Sequence, residues 1–276
     1  MRWKHVPWPM KALLLLVMAT VAFVTLAPFC YLVALSLSSY ADTFRVFLWP
    51  RGFHWQNYVE AWDTVNLAVY FRNSAYVTLV ALAINLTVGT MAAYALARFR
   101  LPFKEVIFGV FLAGLILSGE TLLIPLFLNL QLVGFLNQWW TLPVVYATIG
   151  LPFTIFMLRA FFETLPRELV EAAEIDGCNA VQTFAYVMVP LSRSALVTIT
   201  LFQFVWFWDE FILAISLVTS RSLHTLPAGL AGLQGEYFTN YPVLAAALTL
   251  TIVPVVTVFI LTQRQLIRGI TSGAVK

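Results

Sequence analysis

Charged residues are scarce in this chain of 276 residues. Only 11% of them are Asp, Glu, Lys or Arg, and 61% are hydrophobic, whereas a soluble domain is roughly 45–50% apolar and about 25% charged. Several long stretches carry no charge, so a helix formed from them has no polar face to present to water. The composition excludes an ordinary water-soluble globular protein and predicts that lipid surrounds most of the surface.

Residue types that build chemical sites are few or scattered. The two cysteines, Cys30 and Cys178, are far apart, so no disulfide is expected. The histidines His5, His54 and His224 are isolated and form no cluster with zinc-ligand spacing. The phosphate-binding pattern G-x-x-x-x-G-K-[ST] does not occur, so ATP binding of that kind is not expected. We expect no catalytic site, cofactor or metal, and an intramembrane enzyme is disfavoured for the same reason.

Six apolar segments are long enough to cross a bilayer, which takes roughly 20 residues in a helix. The sequence predicts an all-α polytopic membrane protein that forms a single transmembrane domain over residues 1–276. The predicted spans are 13–37, 74–97, 106–128, 140–161, 196–217 and 242–261.

The distribution of basic residues predicts the orientation of these spans. With the N-terminus in the cytoplasm, 12 of the 16 Lys and Arg residues lie on the cytoplasmic side, as the positive-inside rule requires. Both termini are then cytoplasmic. The basic start followed by an apolar run resembles a signal peptide, but the run is long and lacks a convincing cleavage site, so we interpret it as a retained first span. The net charge of +3 follows from this bias and gives no reason to expect nucleic acid as a partner.

The connection between the fourth and fifth spans, residues 162–195, is much longer than a turn and polar in its first half. It reads FFETLPRELVEAAEIDGCNAVQTFAYVMVPLSRSAL together with its flanking residues. Pro166 suits the first turn of a helix that runs through Glu174, and Gly177 then ends or bends it. A second amphipathic piece, 181–189, is predicted to stop at Pro190.

Within this cytoplasmic loop lie the motifs EAAEIDG, residues 171–177, and VPL, residues 189–191. Together they resemble the signature of the integral membrane subunits of binding-protein-dependent ABC importers. Local matches at FRNSAYVT, AAYALARFR, WDEF and GITSGAVK extend the resemblance over almost the whole chain, toward the carbohydrate-uptake branch that includes the smaller maltose-transporter permease. One departure is Asp209, where that family more often has Asn.

The resemblance implies a permease subunit in the bacterial cytoplasmic membrane that imports a sugar or related polyol. It also implies three kinds of partner: a second permease, two ABC ATPase subunits that bind ATP and Mg²⁺, and an external solute-binding protein. Because of Asp209, another small polar solute such as glycerol phosphate or a polyamine stays open. A stand-alone secondary transporter is a further alternative, but it would leave residues 168–190 without a purpose.

There are three groups of candidate residues, of which the first and the third follow from this resemblance and the second from the cost of polar side chains inside spans. The loop is expected to hold a coupling helix that docks on the ATPase, through Glu168, Glu171, Ala172, Ala173, Asp176, Gly177 and Pro190. Polar and aromatic residues within spans are candidates for the solute pathway, namely Glu120, Gln203, Trp206, Trp208, Asp209 and Glu210. A tail threaded between the ATPase subunits would contribute Gly269, Thr271, Ser272 and Gly273.

Each group also has a plain structural alternative. The acidic residues of the loop could form only a solvated face, with Gly177 as a helix cap. The polar residues of the spans could make only hydrogen bonds between helices. The tail could be disordered.

Overall fold

The computed structural model describes residues 7–43, 52–64, 66–232 and 240–274, with side chains up to Gln263 except that of Thr64. Every regular element within these ranges is a helix and none is a strand, so the all-α prediction is confirmed. The α-helices are α1 Trp8–Ser36, α2 Gln56–Thr64, α3 Leu67–Arg98, α4 Lys104–Ile116, α5 Leu123–Leu132, α6 Thr141–Thr164, α7 Glu168–Ile175, α8 Ala180–Thr183, α9 Val189–Leu191, α10 Arg193–Asp209, α11 Ile212–Leu217, α12 Leu226–Ala231 and α13 Tyr241–Ala274. A π-helical turn, Phe184–Met188, joins α8 to α9.

Four helices of the described chain are long and apolar enough to cross a membrane. They are α1, α3, α6 and the portion Tyr241–Gln263 of α13, and they correspond to the first, second, fourth and sixth predicted spans. A fifth crossing is obtained if Ala180–Leu191 and α10, which meet at a bend of 76°, are taken together. The chain is therefore a polytopic membrane protein with four or five candidate spans.

The third predicted span is not one continuous helix. Residues 117–122 separate α4 from α5. Gly119 is a poor helix former, and the hydroxyl of Ser118 lies 2.9 Å from the hydroxyl of Thr121 and accepts its amide at 3.3 Å. Pro125 then falls in the first turn of α5, where its missing N–H needs no partner. Hydropathy alone misses this break because the residues around it remain apolar.

The fifth predicted span is also interrupted, between α10 and α11. The backbone of Glu210 is extended, and its carboxylate accepts the amides of Leu213 at 2.8 Å and Ala214 at 3.0 Å. These amides belong to the first turn of α11, where backbone donors have no partner within the helix itself. A negative charge is also stabilised at a helix N-terminus. Glu210 therefore starts a new helix instead of extending α10.

The fold divides into two compact units. The first comprises Met1–Leu67 and Gly232–Ile252, and the second comprises Ala68–Ala231 and Val253–Lys276. The first unit contains α1, whose most apolar stretch has no residue buried inside the chain. A long apolar helix of this kind is suited to lipid or to a membrane partner.

Within the first unit, α2 holds the end of α1. The amide of Asn57 donates hydrogen bonds of 2.9 Å to the carbonyls of Ser36 and Ser38. The hydroxyls of Tyr58 and Ser36 lie 2.7 Å apart. The bond from Asn57 to Ser36 occupies one of the carbonyls that the last turn of a helix otherwise leaves without a donor.

In the second unit, buried amide and hydroxyl side chains join α3, α6 and α10. Asn85 of α3 donates to the carbonyl of Ala147 at 2.9 Å and accepts the hydroxyl of Thr154 at 2.6 Å. Gln203 of α10 donates to the carbonyl of Gly150 at 2.7 Å and to the hydroxyl of Thr154 at 3.1 Å. Buried polar groups are costly unless they are hydrogen-bonded, so this network fixes how the three helices are rotated against one another.

Gly150 leaves room for this network, which predicts the effect of adding one methyl group. A Cβ at Gly150 would lie 2.9 Å from the amide nitrogens of both Asn85 and Gln203. We expect Gly150→Ala to destabilise the protein by about 1–3 kcal/mol, as overpacking does. Thermal unfolding in detergent measures this. The matched control is Gly109→Ala in α4, where a Cβ meets nothing within 4 Å; equal midpoints for the two variants would contradict the prediction.

An ion-pair cluster joins α4 to α6 in the same unit. The guanidinium of Arg159 binds the carboxylates of Glu105 and Glu163, each at 2.8 Å. It also lies 3.9 Å from the ring centroid of Phe108, within reach of a cation–π interaction. The buried arginine is therefore neutralised, as a charge inside a membrane protein must be.

Candidate functional site

The loop of residues 162–195, here called the EAA loop, begins with the short acidic helix α7. Glu168 and Glu171 lie in its first turn, where carboxylates interact favourably with the helix dipole. The predicted helix is confirmed, although it starts at Glu168, two residues after Pro166. Ala173 is buried, whereas Ala172 is exposed. One side of α7 therefore packs on the protein and the acidic side remains accessible.

Gly177 ends α7 with a φ of +84°. Its amide donates to the carbonyl of Glu174 at 3.0 Å, and the amide of Cys178 donates to the carbonyl of Ala173 at 2.9 Å. This pair of bonds defines a Schellman motif, in which glycine is favoured at the left-handed position. The prediction that Gly177 ends the helix is confirmed. A Cβ at Gly177 would meet nothing within 4 Å, so the space beside it is open within this chain.

A second helical run follows the turn. Asn179 and Gln182 cap its start reciprocally, each side-chain oxygen accepting the other residue's amide at 2.9 and 2.8 Å. The run passes through the π-helical turn and continues to Leu191, so the prediction that it stops at Pro190 is wrong. Pro190 is tolerated because it lies at the start of α9, directly after the π-helical turn, where the regular hydrogen-bond pattern is already interrupted.

The outer surface of the EAA loop combines acidic and apolar side chains. Ile175, Val181 and Tyr186 are 86%, 74% and 74% exposed. The exposed acidic residues beside them are Glu168, Glu171, Glu174 and Asp176. Large apolar side chains that are grouped on a surface and bordered by polar residues are typical of protein–protein interfaces.

The inner surface of the EAA loop is fastened to the spans. The ring of Tyr94 in α3 lies 5.9 Å from that of Phe162 in α6 and 5.2 Å from that of Phe184 in the π-helical turn. Arg98, the last residue of α3, donates to the carbonyls of Phe162 at 2.7 Å and Leu165 at 2.8 Å. A displacement of the loop must therefore carry α3 and α6 with it or break these contacts.

Two adjacent cavities lie beside the interrupted helices, with volumes of about 1010 and 440 Å³. We refer to them together as the groove. The smaller cavity reaches the break between α4 and α5, and the larger one reaches the break between α10 and α11 and also α13. Both are lined by Glu120, Phe202, Trp206 and Glu210. Inside a membrane, non-helical backbone is tolerated where it is buried in protein or lines a cavity, as it does here.

Five of the six residues that the sequence nominated for a solute pathway line the groove. They are Glu120, Gln203, Trp206, Asp209 and Glu210. Trp208 lies elsewhere: it is buried, and its ring stacks on that of Phe204 with 5.7 Å between centroids. The groove also contains residues that sequence reasoning did not nominate, among them Phe202 and Phe211.

Sequence reasoning also missed the residues that hold the groove's polar side chains in place. The hydroxyl of Tyr146 donates to Glu210 at 2.7 Å, and Thr154 binds Gln203. A signal for them exists in the sequence. Tyr146, Gly150 and Thr154 follow one another at four-residue spacing, which places small and polar residues on one face of α6.

Two further predictions concern the tail and metal binding. The side chains of the nominated tail residues lie outside the described part of the chain, although the backbone of α13 is helical to Ala274. Among the described residues, no group of three or more His, Cys, Asp or Glu side chains is placed to hold a metal ion.

Comparison with known proteins gives matches over most of the chain. Residues 69–272 match the family described as "Binding-protein-dependent transport system inner membrane component". The chain is 36% identical over 253 residues to the sulfoquinovosyl glycerol transport system permease protein SmoH of Agrobacterium fabrum, covering 91% of this chain and 89% of that protein. It is 36% identical to the diacetylchitobiose uptake system permease protein NgcG of Streptomyces coelicolor, over 86% of this chain and 80% of that protein.

A solved structure has the same fold. It is a chain of a bacterial ABC transporter involved in the import of the acidic polysaccharide alginate, and it superimposes with a TM-score of 0.83. The match covers 92% of this chain and 95% of that chain at 24% sequence identity.

Proposed function

This chain belongs to the family of binding-protein-dependent transport system inner membrane components, the permease subunits of ABC importers, and from this membership we propose that it carries a sugar or a related polyol into the cell. The chain is a non-catalytic membrane subunit, and the ATPase is a separate subunit. We place ATP and Mg²⁺ on that partner.

The geometry of the EAA loop is the observation that carries this proposal. In the proposed complex, α7 acts as the coupling helix. The ATPase contacts the accessible side of this helix and of the turn after it, at Glu168, Glu171, Ala172, Asp176 and Gly177. Ala173, which is buried, packs on the inner side of α7, and Pro190, which is exposed, lies at the start of α9. The exposed Ile175, Val181 and Tyr186 supply an apolar area for the ATPase, while Tyr94 and Arg98 connect the same loop to the spans.

The membrane arrangement that fits this function has six spans in a single transmembrane domain. They are formed by α1, α3, α4 with α5, α6, α10 with α11, and α13, and both termini and the EAA loop lie in the cytoplasm. Basic residues support this orientation, because Arg98, Lys104, Arg167 and Arg193 all flank the helix ends that face the EAA loop. The tail residues Gly269, Thr271, Ser272 and Gly273 are assigned to contact with the ATPase pair.

The complete transporter contains this chain, a second permease, two ATPase subunits and an external solute-binding protein. In the proposed cycle, ATP binding closes the ATPases and displaces the coupling helix. The spans then open to the outside, the binding protein delivers the solute, and hydrolysis resets the path. Glu120, Gln203, Trp206, Asp209 and Glu210 contribute this chain's side of that path; Trp208 supports it from the core.

The names of relatives support a carbohydrate as the solute. NgcG is named for diacetylchitobiose uptake, and MelC of Bacillus subtilis, 30% identical over 262 residues, is named for import of melibiose, raffinose and stachyose. Asp209 is the observation that favours a second candidate, in which the same machinery carries another small polar solute such as a polyamine. A stand-alone secondary transporter leaves the exposed surface of the EAA loop without a partner.

Co-purification tests the importer assignment. The tagged chain is extracted from its native membrane in a gentle detergent, and the proteins retained with it are identified. We expect an ATPase with the phosphate-binding motif that this chain lacks, together with a second permease. If no ATPase is retained under conditions that keep other membrane complexes intact, the assignment fails and the secondary transporter becomes the better explanation.

A further inference from the structure

Among the side chains that the structure describes, the ionisable ones that line the groove are all carboxylates. Glu120, Asp209 and Glu210 contribute them, and no described Lys, Arg or His lines either cavity. Glu210 is held by neutral donors, the hydroxyl of Tyr146 and two backbone amides, and no described cationic side chain forms an ion pair with it.

The other two carboxylates remain available to a ligand. Neither Asp209 nor Glu120 makes a side-chain hydrogen bond or an ion pair with any described residue. They belong to the two helix breaks, Glu120 to the one between α4 and α5 and Asp209 to the one between α10 and α11. Discontinuous helices at a cavity are a recurring way in which transporters place polar groups around a solute.

The side-chain amide of Gln203 adds a further acceptor. Gln203 is 4% exposed and lines the smaller cavity. Its nitrogen donates to the carbonyl of Gly150 and the hydroxyl of Thr154, whereas its oxygen accepts no hydrogen bond from the described residues. Because this oxygen keeps accessible surface at the cavity wall, it can accept a hydrogen bond from a donor that is supplied from outside the chain.

Aromatic rings supply the apolar part of the wall. Phe202 and Trp206 line both cavities, and Phe211 lines the larger one. Such rings suit the C–H faces of a sugar or the methylene groups of an amine, and their faces also attract cations.

From these observations we propose that the groove is a charge-selective solute site, which takes polyhydroxylated or ammonium-bearing solutes and rejects carboxylates, sulfonates and phosphates. Hydroxyl and ammonium groups donate hydrogen bonds to Asp209, Glu120 and the amide oxygen of Gln203. The anionic group of a carboxylate, sulfonate or phosphate has no donor to offer these acceptors, and it is repelled by the carboxylates even where hydroxyls elsewhere in the solute could donate. This site rests on the proposed transport function, and it removes glycerol phosphate from the candidate solutes.

The charge preference can be measured without knowing the natural solute. In the intact complex, with Cys30 and Cys178 replaced by serine, a single cysteine is introduced at Ile212, which lines the larger cavity. Its reaction rates with a cationic and an anionic methanethiosulfonate of similar size are compared. The reference is a cysteine at Thr219, which is exposed but lines neither cavity.

We expect the cationic-to-anionic rate ratio at Ile212→Cys to exceed that at Thr219→Cys by about tenfold, the lower end of what a cleft lined by one sign of charge produces. Adding Asp209→Asn and Glu120→Gln, which keep the shapes of the side chains, should remove most of the difference. Equal ratios at the two cysteines, or a ratio at Ile212→Cys that the two amide substitutions leave unchanged, would overturn the proposal.

Protection of the same cysteine tests solute binding. Glucitol, glucosamine and glucuronate have similar carbon skeletons. Glucitol is neutral, glucosamine is cationic and glucuronate is anionic. We expect the first two to slow the reaction of Ile212→Cys with an uncharged methanethiosulfonate at least twofold at millimolar concentration, and glucuronate to leave it unchanged. Protection by glucuronate, or by none of the three, would contradict the proposal. The ATPase content of the complex is determined on the same sample, so a failure of the importer assignment is recognised separately.

Discussion

Uptake is expected to be abolished by Gly177→Asp while the protein still inserts in the membrane. We attribute the loss of uptake to a contact with the ATPase and not to a clash within this chain. A Cβ at Gly177 meets nothing within 4 Å, so the added carboxylate clashes with no described residue. The left-handed backbone costs a residue other than glycine only roughly 1–2 kcal/mol, and Asp is among those that adopt it most readily. If an ATPase packs against the exposed turn, the side chain enters that contact and places an additional charge in it. The readouts are ATP-driven uptake and retention of the ATPase in the detergent pull-down.

Gly134 provides a closely matched control for this substitution. It ends α5 with a φ of +70°, and a Cβ there also meets nothing within 4 Å. Its amide donates to the carbonyl of Gln131, and the next amide, of Phe135, donates to that of Leu130, which is the same Schellman motif. Gly134→Asp therefore imposes the same strain within the chain, away from the EAA loop. We expect it to retain the ATPase. If both variants lose the ATPase equally, strain explains the effect and the coupling assignment is wrong.

The sequence was sufficient for those parts of the fold that depend on apolar length and on local turn chemistry. The predicted first, second, fourth and sixth spans are continuous helices because each has an uninterrupted apolar run. Gly177 was assigned to the end of α7 because glycine is favoured in the left-handed conformation that closes a helix. Both signals are local, so no knowledge of the tertiary structure was needed to use them.

The breaks beside the groove could not be found in this way. The residues between α4 and α5 include Ser118, Gly119, Glu120 and Thr121, but long apolar stretches flank them on both sides, and the hydroxyl contact between Ser118 and Thr121 is visible only in the structure. Glu210 was recognised as an unusual residue within a span, but its role depends on the tertiary contact with Tyr146, 64 positions earlier in the chain. A hydropathy window averages over such features, although they determine where polar groups meet the cavity.

Arg98→Met is expected to reduce coupled uptake at least tenfold and to lower stability. Arg98 donates to the carbonyls of Phe162 and Leu165, and each hydrogen bond to a charged group is worth about 1.5–3 kcal/mol. Methionine has a similar length but donates nothing, so the end of α6 loses both of its hydrogen bonds from Arg98. The coupling helix can still bind the ATPase, but its movement is no longer passed to the span. We therefore expect the ATPase to remain in the pull-down while uptake per ATP hydrolysed falls.

Arg100→Met separates this effect from a loss of positive charge. Arg100 lies two residues further along, is exposed, and makes no side-chain hydrogen bond to a described residue. Both substitutions remove one basic residue from the same membrane boundary, so any effect on insertion through the positive-inside rule is shared. Only Arg98→Met removes the two hydrogen bonds from α3 to the carbonyls of Phe162 and Leu165. Arg98→Lys keeps the charge and one donor group, and it should give an intermediate loss of coupled uptake.

Equal transport by Arg98→Met and Arg100→Met would contradict the prediction. The hydrogen bonds of Arg98 would then not transmit the movement of the EAA loop to α3, and the contacts of Tyr94 would be left as the route.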